Sequence, residues 1–280
     1  MSVYRTENGG REVRRGYLQL LDHWSVPHER VTVPTSQGET FVVVSGPPGA
    51  PPVVLLHGSG TNAAMWRDDV ASWARHFRVH AVDLTGEPGL SAPNRPRLGS
   101  DGCALWLDDV LAALGVDRVS LVGASLGGWF AADYATRRPD RVRRLVLLCP
   151  GGIGRQKTGW VPQAILLRPF GRWGLRRTLC VVAGLGDDVP ALFLEQFLVT
   201  FRHFRPRRER LPIFPDEALR RWAMPVLVVV GARDAMLDSA STARRVRELV
   251  PGATVKLLPD VAHTIRGQTA EVLRFLLDRP

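Results

Sequence analysis

The run Gly123-Ala124-Ser125-Leu126-Gly127-Gly128 holds a serine with glycine two places to either side. A G-x-S-x-G pentapeptide where a strand turns into a helix is the arrangement that lifts a nucleophilic serine above a sheet edge. The glycines have a steric reason to be there, because side chains two places from the serine would collide with neighbouring backbone in so tight a turn. A helix starting just after the serine would also face its N-terminus toward an oxygen that becomes negative during acyl transfer. In a chain with 27 glycines such a pentapeptide is unremarkable by itself. Its weight comes from the rest of the chain.

A serine needs a base, and the base needs an orienting acid. Around such a turn the chain order is serine, then Asp or Glu, then His. Only His203 and His263 follow Ser125, and His203 falls in an irregular stretch between Gly151 and Pro215. His263 stands in Pro259-Asp260-Val261-Ala262-His263-Thr264, a loop between the strand-like Thr254–Leu258 and an apolar helix ending at Leu276. Val226–Val230 leads straight into Gly231-Ala232-Arg233-Asp234, so Asp234 is the expected acid. Asp238 reads as the cap of a helix beginning near Ser239. Each residue also has a plain structural reading, as a turn residue or a surface loop residue. What favours chemistry is that all three stand at the ends of strand-like segments in the required order. An oxyanion hole needs two backbone N–H groups. Leu126, after the serine, is one; the other is expected in His57-Gly58-Ser59-Gly60, which follows Val53–Leu56, with Ser59 the expected donor and Gly60 the close alternative. His57 is expected to hydrogen-bond inside that loop.

The elements that must carry these loops are short β-rich runs, Thr40–Ser45, Val53–His57, Val79–Asp83, Val119–Val122, Leu145–Cys149, Val226–Val230 and Thr254–Leu258. Most are continuous rather than alternating, the pattern of strands buried on both faces of a parallel sheet. Between them, apolar residues recur at helical spacing, as in Trp66, Val70, Trp73 and Ala74, or Leu105, Val110, Leu111 and Leu114. Strand alternating with helix predicts an α/β fold. Arg11–Trp24 reads as an amphipathic helix, and Glu29–Ser45 as two strands around a turn at Thr35–Glu39. The alternation breaks between Gly151 and Pro215, where helical stretches such as Ala191–Phe201 mix with Gly, Pro and Arg; a long insertion of this kind covers the crevice at the carboxyl ends of the strands. The expected division is therefore an N-terminal helical extension over 1–28, a core from 29–150 and 216–280, and a helical cap over 151–215. Gly58, Gly60, Trp129 and Trp160 are the candidate pocket residues, although Trp129, four places after the serine, is also placed to pack between sheet and helix.

The chain has 280 residues, 45% of them apolar, enough to bury roughly 75% of the surface exposed when unfolded. No apolar run approaches the ~20 residues of a spanning helix, and the polar start of the chain lacks the apolar stretch of a secretory signal. Cys103, Cys149 and Cys180 show no C-x-x-C pair and fit free thiols in a reducing compartment, so the cytoplasm is the expected location.

These residues resemble the α/β-hydrolase superfamily, from about Glu29 to Leu277, in its capped, carboxylesterase-like serine members. The likeness rests on His57-Gly58 after a strand, on Asp83, Gly86 and Ser91, on the turn around Ser125, on Gly231-Ala232-Arg233-Asp234 and on His263. It implies the α/β-hydrolase fold, with a mostly parallel eight-stranded central sheet flanked by helices and a helical cap. It also implies a catalytic triad of Ser125, His263 and Asp234 that works without metal or cofactor; it implies no substrate, and a small to medium carboxylic ester is the expected one. Thioester, lactone and activated carbon–carbon bonds are alternative substrates of the same triad, since this fold hosts many chemistries. One departure is Glu87-Pro88, inserted where many members have a shorter Gly-x-Gly-x-Ser run; it bears on the pocket wall, not on the triad.

Other readings explain less. Gly58-Ser59-Gly60-Thr61-Asn62-Ala63 fits the dinucleotide fingerprint G-x-G-x-x-A, with Asp83 where a ribose-binding carboxylate belongs. A strand pair precedes it, however, and a dinucleotide-dependent oxidoreductase leaves Ser125, Asp234 and His263 unexplained. Gly151–Thr158 approaches a P-loop but has Gln156 where glycine must precede the lysine. Serine at position 125 disfavours relatives that use an aspartate nucleophile, such as dehalogenases. No H-E-x-x-H or Cys/His spacing calls for a metal. A non-catalytic ligand-binding protein on the same scaffold would not need an intact triad.

The net charge is +10, with 37 Lys and Arg against 27 Asp and Glu, and 35 of the 37 are Arg. Arginine binds carboxylates and phosphates as a planar fork, and it also accumulates through genome composition. Between Gly151 and Pro215 eleven basic residues face Asp187, Asp188, Glu195 and Glu209, a local excess of 11 − 4 = +7. No nucleic-acid module accompanies them, so nucleic acid is not an expected partner. A small-molecule ester is, anionic or hydrophobic; most of these arginines, Arg202–Arg210 above all, are expected on the outer face of the cap, where one or two could steer an anionic ester inward.

Overall fold

The computed structural model describes residues 2–185 and 189–278; Asp187 and Asp188 lie outside the described residues. The chain begins with α1 (Glu7–Asp22), capped by Thr6, whose hydroxyl accepts the Gly9 N–H. Val13, Tyr17, Leu20 and Leu21 are buried at the three- and four-residue spacing of one helix face. The helix starts four residues earlier than the apolar spacing predicts. Gly9 and Gly10 are poor helix formers, but a Cβ on Gly9 would run into the His203 ring and one on Gly10 would lie 2.9 Å from the Tyr4 ring, so glycine there permits close packing.

The strands β1 (His28–Val33) and β2 (Thr40–Ser45) form the expected antiparallel pair. They continue into β3 (Pro52–Leu56), α2 (Arg67–Trp73), β4 (Arg78–Val82), α3 (Gly102–Ala113), β5 (Val119–Ala124), α4 (Leu126–Arg137) and β6 (Val142–Leu148). After an insertion containing α5 (Val161–Leu167), α6 (Gly171–Ala183) and α7 (Ala191–His203), the alternation resumes with α8 (Asp216–Arg220), β7 (Val226–Gly231), α9 (Ser239–Leu249), β8 (Thr254–Leu258) and α10 (Thr269–Leu277). The eight strands form one sheet in the order β1-β2-β4-β3-β5-β6-β7-β8, and from β4 to β8 every neighbouring pair is parallel.

The continuous apolar runs are buried on both faces. Val54 and Leu56 of β3 pack with α3, α4 and α9 on one side, while Val53 and Leu55 pack with α1, α2 and α10 on the other. Each such side chain stabilises the fold by roughly 1.5–3 kcal/mol. The parallel strands bring their carboxyl ends to one edge, so the loops headed by His57, Asp83, Ser125, Cys149, Asp234 and His263 are neighbours although 206 residues separate the first from the last. Between β3 and β5 the chain order reverses, leaving a crevice at the strand ends.

The insertion is tied to that edge by backbone pairing. At its start Gln156 bridges Leu237, and the Lys157 N–H donates to the Met236 carbonyl at 2.8 Å. At its end Phe204 bridges Tyr4, flanked by 2.8 Å bonds from the Arg5 N–H to the His203 carbonyl and from the Arg205 N–H to the Val3 carbonyl. Not all of Arg202–Arg210 faces outward: the Arg207 side chain is 7% exposed and its Nη1 donates to the Pro96 carbonyl. No helix among the described residues is long and apolar enough to cross a membrane.

Tyr17 links α1 to the sheet edge, its hydroxyl donating to Asp83 Oδ1 at 2.9 Å with both groups buried. Removing that donor leaves a buried carboxylate oxygen short of a partner. Tyr17→Phe is expected to lower the unfolding free energy by about 1–2 kcal/mol, read as a lower urea midpoint with an unchanged slope.

Candidate active site

Ser125 sits between β5 and α4 with φ 51° and ψ −109°, a conformation that non-glycine residues adopt only under constraint. The constraint is visible in its neighbours. A Cβ on Gly123 would meet the Gly127 backbone, one on Gly127 would meet the carbonyls of Leu56 and His57, and one on Gly128 would come 3.0 Å from Pro150 Cα. Backbone hydrogen bonds hold the residue itself: the Ser125 N–H donates to the Leu148 carbonyl, and the Ser125 carbonyl accepts from Trp129 and Gly151.

The sheet edge brings Ser125, His263 and Asp234 into one hydrogen-bonded line. Ser125 Oγ lies 2.9 Å from His263 Nε2, and His263 Nδ1 lies 2.7 Å from Asp234 Oδ2. With the carboxylate able only to accept, Nδ1 carries the proton and Nε2 is free to accept from the serine hydroxyl. Asp234 is 2% exposed. Burial pushes its carboxyl up, but the hydrogen bond and charge of His263 and the N–H groups of Leu237 and Met236, which both donate to Oδ1, outweigh burial and hold it below the ordinary value. Asp238 caps α9, accepting the Ser241 N–H at 3.0 Å, and takes no part in this line. His203 pairs instead with Glu12 of α1.

The loop after β3 lies against the serine, since a Cβ on Gly58 would be 3.5 Å from Ser125 Cβ. His57 organises that loop: it is fully buried, Nδ1–H donates to the Gly58 carbonyl at 2.8 Å, and Nε2 accepts the Leu84 N–H at 2.9 Å. Burial lowers its pKa to about 4, so the ring is neutral. The Gly60 N–H is occupied, donating to Glu87 Oε2 at 2.8 Å, whereas the Ser59 N–H has no acceptor among the described residues. Leu126 is the first residue of α4, and its N–H is one of those a helix cannot satisfy internally.

The candidate pocket residues separate. Gly60, with φ +73°, lies under the ring of Phe201 from α7, and a narrow gap beside it is lined by Leu20, Met65, Phe193 and Phe197 together with the polar Asn62 and Gln196. Trp129 is fully buried, stacked on Phe214 with its indole N–H on the Pro212 carbonyl, and packs in the sheet–helix layer. Trp160 stands on the surface of the insertion, bonded to the Lys157 carbonyl. A wider cleft lined by Glu29, Arg78, His80 and Arg143 opens at the opposite ends of the strands, away from Ser125.

Three nearby groups were not read from the sequence. Cys149, the residue after β6, is buried with φ 42°, and its thiol falls within 4.8 Å of the Asp234 and His263 ligand atoms. The three could ligate a soft metal, but burial and the Asp234 charge push the thiol pKa up, away from the thiolate such a site needs. Lys157 donates from Nζ to the Asp234 carbonyl at 2.9 Å. Glu87, flagged in the sequence only as an irregularity, is the buried acceptor behind Ser59 and Gly60. The φ of Cys149 and the long-range partners of Lys157 and Glu87 leave no local pattern from which to find them.

A family model described as "Alpha/beta hydrolase family" matches residues 53–275. The chain is 30% identical over 281 residues to carboxylesterase YbfK of Bacillus subtilis, covering 95% of this chain and 94% of that protein. The crystal structure of YbfK superposes with a TM-score of 0.86 at 28% identity, over 96% of this chain and 99% of the other. Naproxen esterase, carboxylesterase NP of Bacillus subtilis, superposes with a TM-score of 0.86 at 26% identity over 98% of each chain. A shorter likeness, 42% over 110 residues, links 38% of this chain to 40% of a 2-hydroxy-6-oxo-2,4-heptadienoate hydrolase of Pseudomonas putida. With its strand order, its turn at Ser125 and the family match over 53–275, the chain belongs to the alpha/beta hydrolase family.

Proposed function

We propose that this protein is a carboxylesterase that cleaves a small to medium carboxylic ester through an acyl-enzyme on Ser125. The observation that carries the reading is the line from Ser125 Oγ through His263 to Asp234, with both bonds under 3 Å. Nearly full-length likeness to carboxylesterases supports an ester over other acyl bonds. The likeness to a carbon–carbon bond hydrolase covers little more than a third of the chain, so C–C cleavage is the second reading.

In the proposed reaction His263 Nε2 accepts the Ser125 proton as Oγ attacks the ester carbonyl, and Asp234 holds the ring in that tautomer and stabilises its charged form. The Leu126 and Ser59 N–H groups donate to the oxyanion, each such donor being worth about 2.7–4 kcal/mol. His263 returns its proton to the departing alcohol, then activates water to release the acid. The helices of 151–215 act as the cap. The Phe193 and Phe197 rings beside Gly60 suit a neutral, hydrophobic group of the ester, and Arg207 spends its Nη1 on Pro96 and Glu209.

Ser125→Ala and His263→Ala are expected to remove nitrophenyl ester turnover and fluorophosphonate labelling, and Asp234→Asn to reduce kcat by about 10⁴; Asp238→Asn keeps activity, and the reverse pattern for the two aspartates would reassign the acid. Across a panel of esters, neutral chains are expected to exceed carboxylate-bearing ones of equal length by at least about tenfold, since an unpaired charge is costly against the Phe193 and Phe197 rings; equal rates would place the substrate elsewhere. The lowered pKa of Asp234 also has a sign. Its ionised form stabilises the fold above the ordinary value of 3.8 and that contribution is lost as pH falls through the folded value. The stability difference between wild type and Asp234→Asn, from urea titrations, should therefore shrink from about pH 5 downward.

A further inference from the structure

Glu87 is 2% exposed, yet it makes no ion pair among the described residues. Its Oε2 accepts two hydrogen bonds from the loop after β3, from the Gly60 N–H at 2.8 Å and the Ser59 hydroxyl at 3.1 Å. Its Oε1 is buried with no hydrogen-bond partner among the described residues. Burying a carboxylate under those terms costs the fold several kcal/mol in effect, so stability does not explain its presence. Its backbone is held in place: the Glu87 N–H donates to the Leu84 carbonyl, the Gly89 N–H donates to the Glu87 carbonyl, and the Pro88 carbonyl accepts from Asn62 Nδ2. Two further bonds join the same pair of loops, from the Leu84 N–H to His57 and from the Ala63 N–H to Asp83.

The consequence for Ser125 is selective. Of the two adjacent N–H groups that could serve as the second oxyanion donor, the carboxylate takes that of Gly60 and leaves that of Ser59, while also accepting the Ser59 hydroxyl. We propose that Glu87 is a positioning residue of the oxyanion hole, which fixes the loop so that Ser59 presents its N–H beside Ser125. This rests on the esterase reading, and it gives the Glu87-Pro88 irregularity a role: the extra length carries a carboxylate behind the loop. The charges of Arg95 and Arg207 act on Glu87 and favour its ionised form against burial.

A donor fixed before reaction affects the transition state, where the oxyanion exists, more than the bound ester. Glu87→Ala should therefore lower kcat by roughly 10- to 100-fold, part of the loss seen when a whole donor is removed, with KM changed by less than about threefold. Rates are taken per active site, counted by fluorophosphonate titration, so that misfolded protein does not enter. A trifluoromethyl ketone, which forms an oxyanion on Ser125, should lose affinity by the same factor as kcat/KM. Glu87→Gln, whose amide oxygen can still accept the Gly60 N–H, should recover activity to within about threefold of wild type. Wild-type kcat per titrated site in Glu87→Ala, or a fall in kcat with unchanged ketone affinity, would overturn the proposal. Should Glu87→Ala not fold, Glu87→Asp, one methylene short of Gly60, is read by the same criteria. The esterase reading fails separately: in that event wild type does not label or turn over esters, or Ser125→Ala remains active.

Discussion

Everything at the strand ends depends on how closely backbone meets backbone around Ser125. Helix α4 can start immediately after β5 only because Gly123, Gly127 and Gly128 present no Cβ to each other, to Leu56 and His57, or to Pro150. That approach brings the first N–H of α4 beside the loop after β3 and seats Ser125 at a positive φ, a strain of order 1–3 kcal/mol. The serine is kept there because β5, α4 and the carbonyl of Leu148 each fix a different part of it. A nucleophile on a free loop would relax into a rotamer suited to the ground state; one held by sheet and helix cannot.

Three buried carboxylates then show how environment divides their work. Asp83 accepts from Tyr17, Ala63 and Leu90, all neutral donors, and burial outweighs them, raising its pKa to about 6. Glu87 is raised for the same reason. Of the three, Asp234 alone is hydrogen-bonded to a group that can become positive, and there hydrogen bonding and charge overcome burial. The carboxylate that must stay ionised to hold an imidazole is thus the one facing His263, while the other two organise the loops opposite. The insertion joins these loops as well. Its start pairs with the segment after Asp234, the Ala183 carbonyl accepts the Thr264 N–H next to His263, and Phe201 covers Gly60. A shift of the insertion would therefore be felt at Asp234, His263 and the loop of Gly60 together.

The strands and the line of Ser125, His263 and Asp234 were legible because each depends on local pattern: a continuous apolar run, a pair of glycines, an Asp or His just past a strand. Parallel strands then force their loops to one edge without further information. The clasp of α1 on the insertion was not legible, since Tyr4 meets Phe204 and Gln196 reaches the Val13 carbonyl across almost two hundred residues. Trp129 could be read either as pocket or as core, and its indole partner Pro212 decided for core. Glu87 stood out only as a departure in length; its partners lie 27 and 28 residues back, a distance at which spacing carries no signal.

The charge of +10 takes a different meaning from this geometry. Arginine after arginine ends on a carbonyl of a turn: Arg78 on Gly46, Arg95 on Gly86 and Arg205, Arg137 on Gly99, Arg141 on Val116, Arg207 on Pro96, Arg245 on Phe214. Five donors on a rigid plane can serve a carbonyl and a carboxylate at once, as Arg78 does with Gly46 and Glu29, whereas an ammonium is a single point on a flexible stem. Loops that run between parallel strands and helices expose many carbonyls that no ladder satisfies. For these six arginines the carbonyls are reason enough, and an anionic ligand is not required to account for them.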